Sequence, residues 1–126
     1  MYNEIIMNNF NNPLNVGELK GANGIGKAQS KKYGDIIKFF VKVDENKKIE
    51  EVTFKSTGCV ATIAISSALT AKMTGMSIDR VSKIDVDQIN NLVGGLPEIK
   101  MYCAVLAKEA IANTVANYKK RMAKQA

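Results

Sequence analysis

Residues 35–75 read DIIKFFVKVDENKKIEEVTFKSTGCVATIAISSALTAKMTG, and the change of period inside this stretch decides the fold. From Asp35 to Val43 the chain alternates: Ile37, Phe39, Val41 and Val43 point one way, Lys38 and Lys42 the other. Asp44–Lys48 is a polar turn, and Ile49–Lys55 is a second strand with Val52 and Phe54 inward. Together they predict an antiparallel hairpin. After Thr57-Gly58 the alternation stops. Val60 to Thr74 is small and apolar nearly all round, the pattern of a buried helix, and Gly75 closes it. Strands followed by segregated helices predict an α+β domain, a small antiparallel sheet of about three strands packed against helices.

The flanks fit that frame. Glu4–Phe10 reads as a short amphipathic helix that stops before Asn12-Pro13, because proline disfavours helix at the preceding residue. Gly17 to Lys32 reads as loop with one short strand. Two short helices are expected at Ser77–Lys83 and Val86–Val93, with Ser77 and Asp85 as N-caps. Gly94-Gly95-Leu96-Pro97 is a break. The last helix is expected over Glu98–Arg121, burying Ala104, Ala107, Ile111, Val115, Tyr118 and Met122 and wetting Glu109, Asn113, Asn117, Lys120 and Lys124. No internal repeat or linker divides the chain, so residues 1–126 are expected to form one domain.

Composition narrows function by exclusion. The 126 residues are 46% hydrophobic and 24% charged, as in ordinary globular domains. No apolar run approaches the roughly 18 residues of a membrane span, and the first residues lack the basic flank of a signal peptide. A cytoplasmic protein with no membrane role is expected. The net charge of +6 is scattered over Lys27, Lys31, Lys32, Lys47, Lys48, Lys119, Lys120, Arg121 and Lys124 without interleaved aromatics, so no nucleic-acid role is expected. There are two cysteines, Cys59 and Cys103, and no histidine. Two distant cysteines are no disulfide framework. The missing histidine removes most hydrolytic triads and the usual zinc-enzyme sites.

Gly21 to Lys27 matches G-x-x-x-x-G-K, a phosphate-binding loop, but Ala28 stands where the magnesium-binding Ser or Thr is required and no apolar strand precedes it. A surface loop is the better reading. Cys59 lies between a strand and a buried helix, where helix N–H groups stabilise a thiolate. Cys103 lies in a similar place after Gly-Gly-Leu-Pro. Either alone reads as an inert buried thiol; two at matching helix starts point to a shared site. Asp35 opens the first strand, otherwise the place of a turn residue. Lys100, three residues before Cys103, is close enough in a helical turn to bias its ionisation.

These segments resemble the IscU/NifU N-terminal scaffold family over nearly the whole chain. Asn12-Pro13-Leu14-Asn15-Val16-Gly17 resembles its N-P-x-N-V-G, and Tyr33-Gly34-Asp35 its C-G-D. Ile49 to Cys59 resembles its I-x-x-x-x-F-x-x-x-G-C, Leu96-Pro97-Glu98-Ile99-Lys100 its L-P-P-V-K, and Met101 to Ala107 its I-H-C-S-x-L-A. The resemblance implies an IscU/SufE-like architecture and a protein that assembles a [2Fe–2S] cluster on three cysteines plus histidine or aspartate. It takes sulfur from a cysteine desulfurase and passes the cluster to apo iron–sulfur proteins. By position it implies Cys59, Cys103 and Asp35 as cluster or iron ligands, Lys100 as an auxiliary, and Cys103 as a persulfide acceptor. It also implies a DnaK-type chaperone contact at Leu96–Lys100, where Glu98 replaces a proline.

Two expected ligands are phenols here: Tyr33 stands at the first-cysteine position and Tyr102 at the histidine position. A [2Fe–2S] rhomb needs four protein ligands, so one chain is short. The outcomes are a cluster shared in a homodimer, iron held transiently, or no cluster. The leading expectation is an assembly scaffold, not an enzyme in the turnover sense, carrying iron, sulfur or both through Cys59 and Cys103. The alternative is a metal-free module that binds and regulates the desulfurase or another assembly partner.

Overall fold

The computed structural model describes residues 1–125. The expected hairpin is formed by β2 (Ile36–Val43) and β3 (Ile49–Thr57), and the short strand in the Gly17–Lys32 segment is β1 (Gly24–Gln29). All three pair antiparallel in the order β1-β2-β3. The register sets Phe39 against Phe54 and Val41 against Val52. With Ile37 they form the inner face, each at most 2% exposed. Burying side chains of this size stabilises by about 1.5–3 kcal/mol apiece. Phe40, on the other face, is also buried, with the Lys38 ammonium 5.1 Å from its ring centroid.

The glycines of the G-x-x-x-x-G-K stretch serve packing. Gly24 and Gly26 lie in β1, against α5 (Met101–Gln125). A Cβ on Gly26 would stand 2.2 Å from the Thr114 backbone nitrogen. The Ile25 N–H donates to Asn117 Oδ1 at 2.9 Å, and Asn113 Nδ2 donates to the Lys27 carbonyl at 2.8 Å. The two asparagines expected on a wet face thus satisfy the outer edge of β1, which would otherwise present unpaired backbone groups. A segment held this way offers no cradle of N–H groups to a phosphate.

Helix α5 runs further than the expected Arg121, to Gln125, and begins after a 3-10 turn at Glu98–Lys100. Its stripe is buried as expected except for Met122, which is half-buried. Helix α2 (Val60–Met73) is buried nearly all round, and its polar side chains are tied inside. Ser66 donates to the Thr62 carbonyl at 2.8 Å, and Ser67 donates to Asn9 of α1 (Glu4–Asn11) at 2.8 Å. Ser67 also accepts from the Leu14 N–H, and Thr70 accepts from Asn15 Nδ2. The Asn-Pro-Leu-Asn-Val-Gly segment is therefore a strap across α2 that continues along β3, where the Gly17 N–H donates to the Phe54 carbonyl.

The short helices α3 (Ile78–Val81) and α4 (Val86–Leu92) start at the expected caps, Ser77 and Asp85; the second is a full capping box with Gln88. Asn3 caps α1 and also donates to the Val93 and Gly95 carbonyls, tying the N-terminus to the Gly-Gly break. These contacts hold the start of α1 beside the break that precedes α5.

Candidate metal and sulfur site

Local backbone geometry places each ligand. The pairing of Ile36 with Thr57 brings Asp35, just before β2, to Gly58, just after β3. Gly58 has φ of +146, and a Cβ there would meet Asp35 Cγ at 2.7 Å. Only glycine lets this junction close over the carboxylate. The next residue, Cys59, is the N-cap of α2, and its N–H points to Asp35 Oδ2 at 3.5 Å. One turn on, Thr62 is fully buried and faces the same point. Cys103 enters from the first turn of α5 and is also fully buried.

The ligand atoms of Asp35, Cys59 and Cys103 all lie within 4.8 Å of one another. Thr62 Oγ1 sits among them. It donates to Asp35 Oδ2 at 2.5 Å and lies 3.3 Å from Cys59 Sγ and 3.4 Å from Cys103 Sγ. The two sulfurs are 3.8 Å apart. Metal–thiolate bonds of about 2.3 Å in a tetrahedron put two sulfurs about 3.8 Å apart, so the pair is spaced to chelate one ion. The Tyr102 hydroxyl reaches Asp35 Oδ2 at 3.3 Å and Cys59 Sγ at 4.0 Å. One chain therefore fits a single iron ion with two soft and one hard donor, and lacks the four ligands of a complete cluster.

The thiols are unequal. Burial works to raise the Cys59 pKa, but hydrogen bonds from the Thr62 side chain and backbone and from Cys103, with the Lys100 charge, outweigh it and hold the thiol below its ordinary value. Burial pushes the Cys103 thiol up to about 11. Burial likewise pushes the Tyr102 phenol far up, against phenolate ligation. Lys100, expected to act on Cys103, bears chiefly on Cys59, whose charge raises the lysine's own pKa.

Tyr33 brings no donor to the three ligands. Its ring, 54% exposed, stacks on Tyr102 with centroids 4.4 Å apart, and the Lys32 and Lys100 ammonium groups lie over the two rings. Asp35, Cys59 and Cys103 are brought together as expected. Thr62 and Tyr2 were not anticipated. Tyr2 lies close enough to feel Cys59, Cys103 and Lys100, though burial is the larger cause of its raised pKa. The signal for Thr62 is a hydroxyl three residues after a helix-capping cysteine in an otherwise apolar turn; for Tyr2 the sequence holds none.

An α+β domain with aspartate and two thiols gathered at the helix starts is the frame of a small metal- or sulfur-carrying protein. The NifU-like N terminal domain model matches residues 1–125, and the chain belongs to that family. It is 39% identical over 118 residues to the iron–sulfur cluster assembly scaffold protein IscU of Aquifex aeolicus, covering 93% of this chain and 75% of the relative. It is 37% identical over 121 residues to the protein of that name in Haemophilus influenzae, covering 94% and 95%. In fold it matches a crystal structure of a nitrogen-fixing NifU-like protein (N-terminal) from Brucella abortus, with a TM-score of 0.74, 16% identity and 94% of both chains covered. No helix among the described residues is long and apolar enough to cross a membrane.

Proposed function

We propose that this protein is an iron–sulfur cluster assembly scaffold that carries iron and sulfur at Asp35, Cys59 and Cys103. The observation that carries the reading is the convergence of those three ligand atoms within 4.8 Å. Iron is the cargo. Cys59 and Cys103 supply the thiolates, Asp35 a hard oxygen that releases more readily, and Lys100 a positive charge that favours the Cys59 thiolate. A [2Fe–2S] product needs ligands beyond these three, and a second copy of the chain supplies them in a homodimer. Sulfur comes from a cysteine desulfurase and product leaves to apo iron–sulfur proteins. Leu96–Lys100, with Ile99 72% exposed, is the segment offered to a DnaK-type chaperone. Two free thiols suit the reducing cytoplasm.

Anaerobic reconstitution with ferrous iron and sulfide tests the reading. Bound iron and sulfide with visible charge-transfer bands are expected, and Cys59→Ser together with Cys103→Ser should abolish both. Wild-type protein that retains no iron would sink it.

A further inference from the structure

Cys59 and Cys103 share one contact but differ in reach. The Cys59 side chain is half-buried at the open start of α2, whereas Cys103 is 0% exposed behind it. Their sulfurs are 3.8 Å apart, and the chain has no third thiol. A disulfide bond of about 2.05 Å requires the two sulfurs to close that gap by side-chain rotation. Thr62 fixes the arrangement. Its hydroxyl lies within hydrogen-bond distance of Asp35 Oδ2 and of both sulfurs, at 3.3 Å from Cys59 Sγ and 3.4 Å from Cys103 Sγ, and so holds the three groups at one point.

We infer that Cys59 and Cys103 form an internal dithiol reductant, which converts a sulfane sulfur received on Cys59 into free sulfide. This rests on the reading that the pair carries sulfur, and it exchanges the roles that resemblance implies, because Cys59 is the thiol that reaches the surface and Cys103 lies buried behind it. In the first step the Cys59 thiol takes the terminal sulfur of a persulfide donor. Cys59–SH and R–S–SH give Cys59–S–SH and R–SH. In the second, Cys103 attacks Cys59 Sγ. The bond between the two cysteine sulfurs forms and the bond to the terminal sulfur breaks. Cys59–S–SH and Cys103–SH give the Cys59–Cys103 disulfide and hydrogen sulfide. The terminal sulfur gains two electrons and the cysteine pair loses two; the Cys103 proton leaves with the sulfide. Two equivalents of a low-molecular-weight thiol restore the dithiol and are themselves oxidised to a disulfide. With two cysteines in the chain, Cys103 is the one thiol partner for a persulfide on Cys59.

The test uses metal-free full-length protein, without oxygen, and glutathione persulfide as the donor, with a protein-free blank. Wild type should become about 2 Da lighter and release about one sulfide per chain. Cys103→Ser and Cys103→Ala should stop about 32 Da heavier, with the extra sulfur on Cys59 and no sulfide released. Cys59→Ser should react at least tenfold more slowly. Circular dichroism confirms that the variants are folded, and the wild-type result decides even if one is not. Wild type that stays about 32 Da heavier, or Cys59→Ser that gains sulfur on Cys103 at the wild-type rate, overturns the inference. The two readings fail separately. Protein that loads iron but keeps its persulfide refutes only the dithiol chemistry. Protein that forms the disulfide and sulfide but holds no iron refutes only the metal site.

Discussion

Replacing Thr62 by valine removes one hydroxyl and almost no volume, so it isolates the polar contribution of the residue at the centre of the site. Asp35 is 6% exposed, and its Oδ2 accepts from Thr62 at 2.5 Å, from Tyr102 at 3.3 Å and from the Cys59 N–H at 3.5 Å. The last two are long, so Thr62 is the main donor to a buried carboxylate. Hydrogen bonds to charged groups contribute about 1.5–3 kcal/mol, and deleting the donor leaves the acceptor desolvated. Valine fills the same space, so no cavity term adds. Thr62→Val should therefore lose about 2 kcal/mol. With a urea slope of about 2 kcal/mol per molar, the midpoint falls by about 1 M. Thr62→Ser restores the donor and should recover more than half of the loss. The second readout is metal. A group that orients a ligand typically changes affinity by about 10- to 100-fold, so Thr62→Val should weaken ferrous-ion binding within that range while serine stays close to wild type. A valine variant within about 0.5 kcal/mol of wild type, or a serine variant as weak as valine, would refute the central role given to the hydroxyl.

Three further outcomes are expected. Alkylation of the native protein near pH 7 should modify Cys59 first, with a rate–pH midpoint below the ordinary thiol value, and reach Cys103 only on unfolding; peptide mapping by mass spectrometry checks this, and equal labelling would refute it. Cys103 has its folded pKa raised from 9.0 to about 11, so its stabilising share is complete below about pH 9 and is lost as pH rises toward about 11. Denaturation across that window should show a loss in wild type that Cys103→Ala lacks; parallel curves would count against it. Gly26→Ala drives a Cβ into the α5 backbone at Thr114 and should cost about 1–3 kcal/mol or more. A shift below about 0.5 kcal/mol in chemical denaturation would show that α5 moves away freely.

Much of this molecule is local, and what is local was legible. Alternation in residues 36–43 and its loss after Gly58 gave the hairpin and the buried helix, since period follows from backbone geometry alone. Ser77 and Asp85 marked helix starts because capping acts within one turn. Motif order then gave the family and the three candidate ligands. The role of Gly26 was not legible, because a glycine chosen for close approach to a distant helix looks the same as one in a flexible loop. Asn113 and Asn117 lie outside the buried stripe as expected, but their bonds to β1 were not legible, because those partners lie far away in sequence.

By itself, then, the sequence determined the α+β frame, the membership of the scaffold family and the donors that exist: two thiols, one aspartate in register with them, phenols at positions 33 and 102, and no histidine. Tertiary structure decided how those donors behave. It set the sulfurs 3.8 Å apart, placed Thr62 between them and Asp35, turned Lys100 toward Cys59, and separated a half-buried thiol from a sealed one. The physical reason is range. Propensity, period and capping act over a few neighbouring residues, whereas burial and the charge around a thiol depend on side chains from four separate segments meeting at one point.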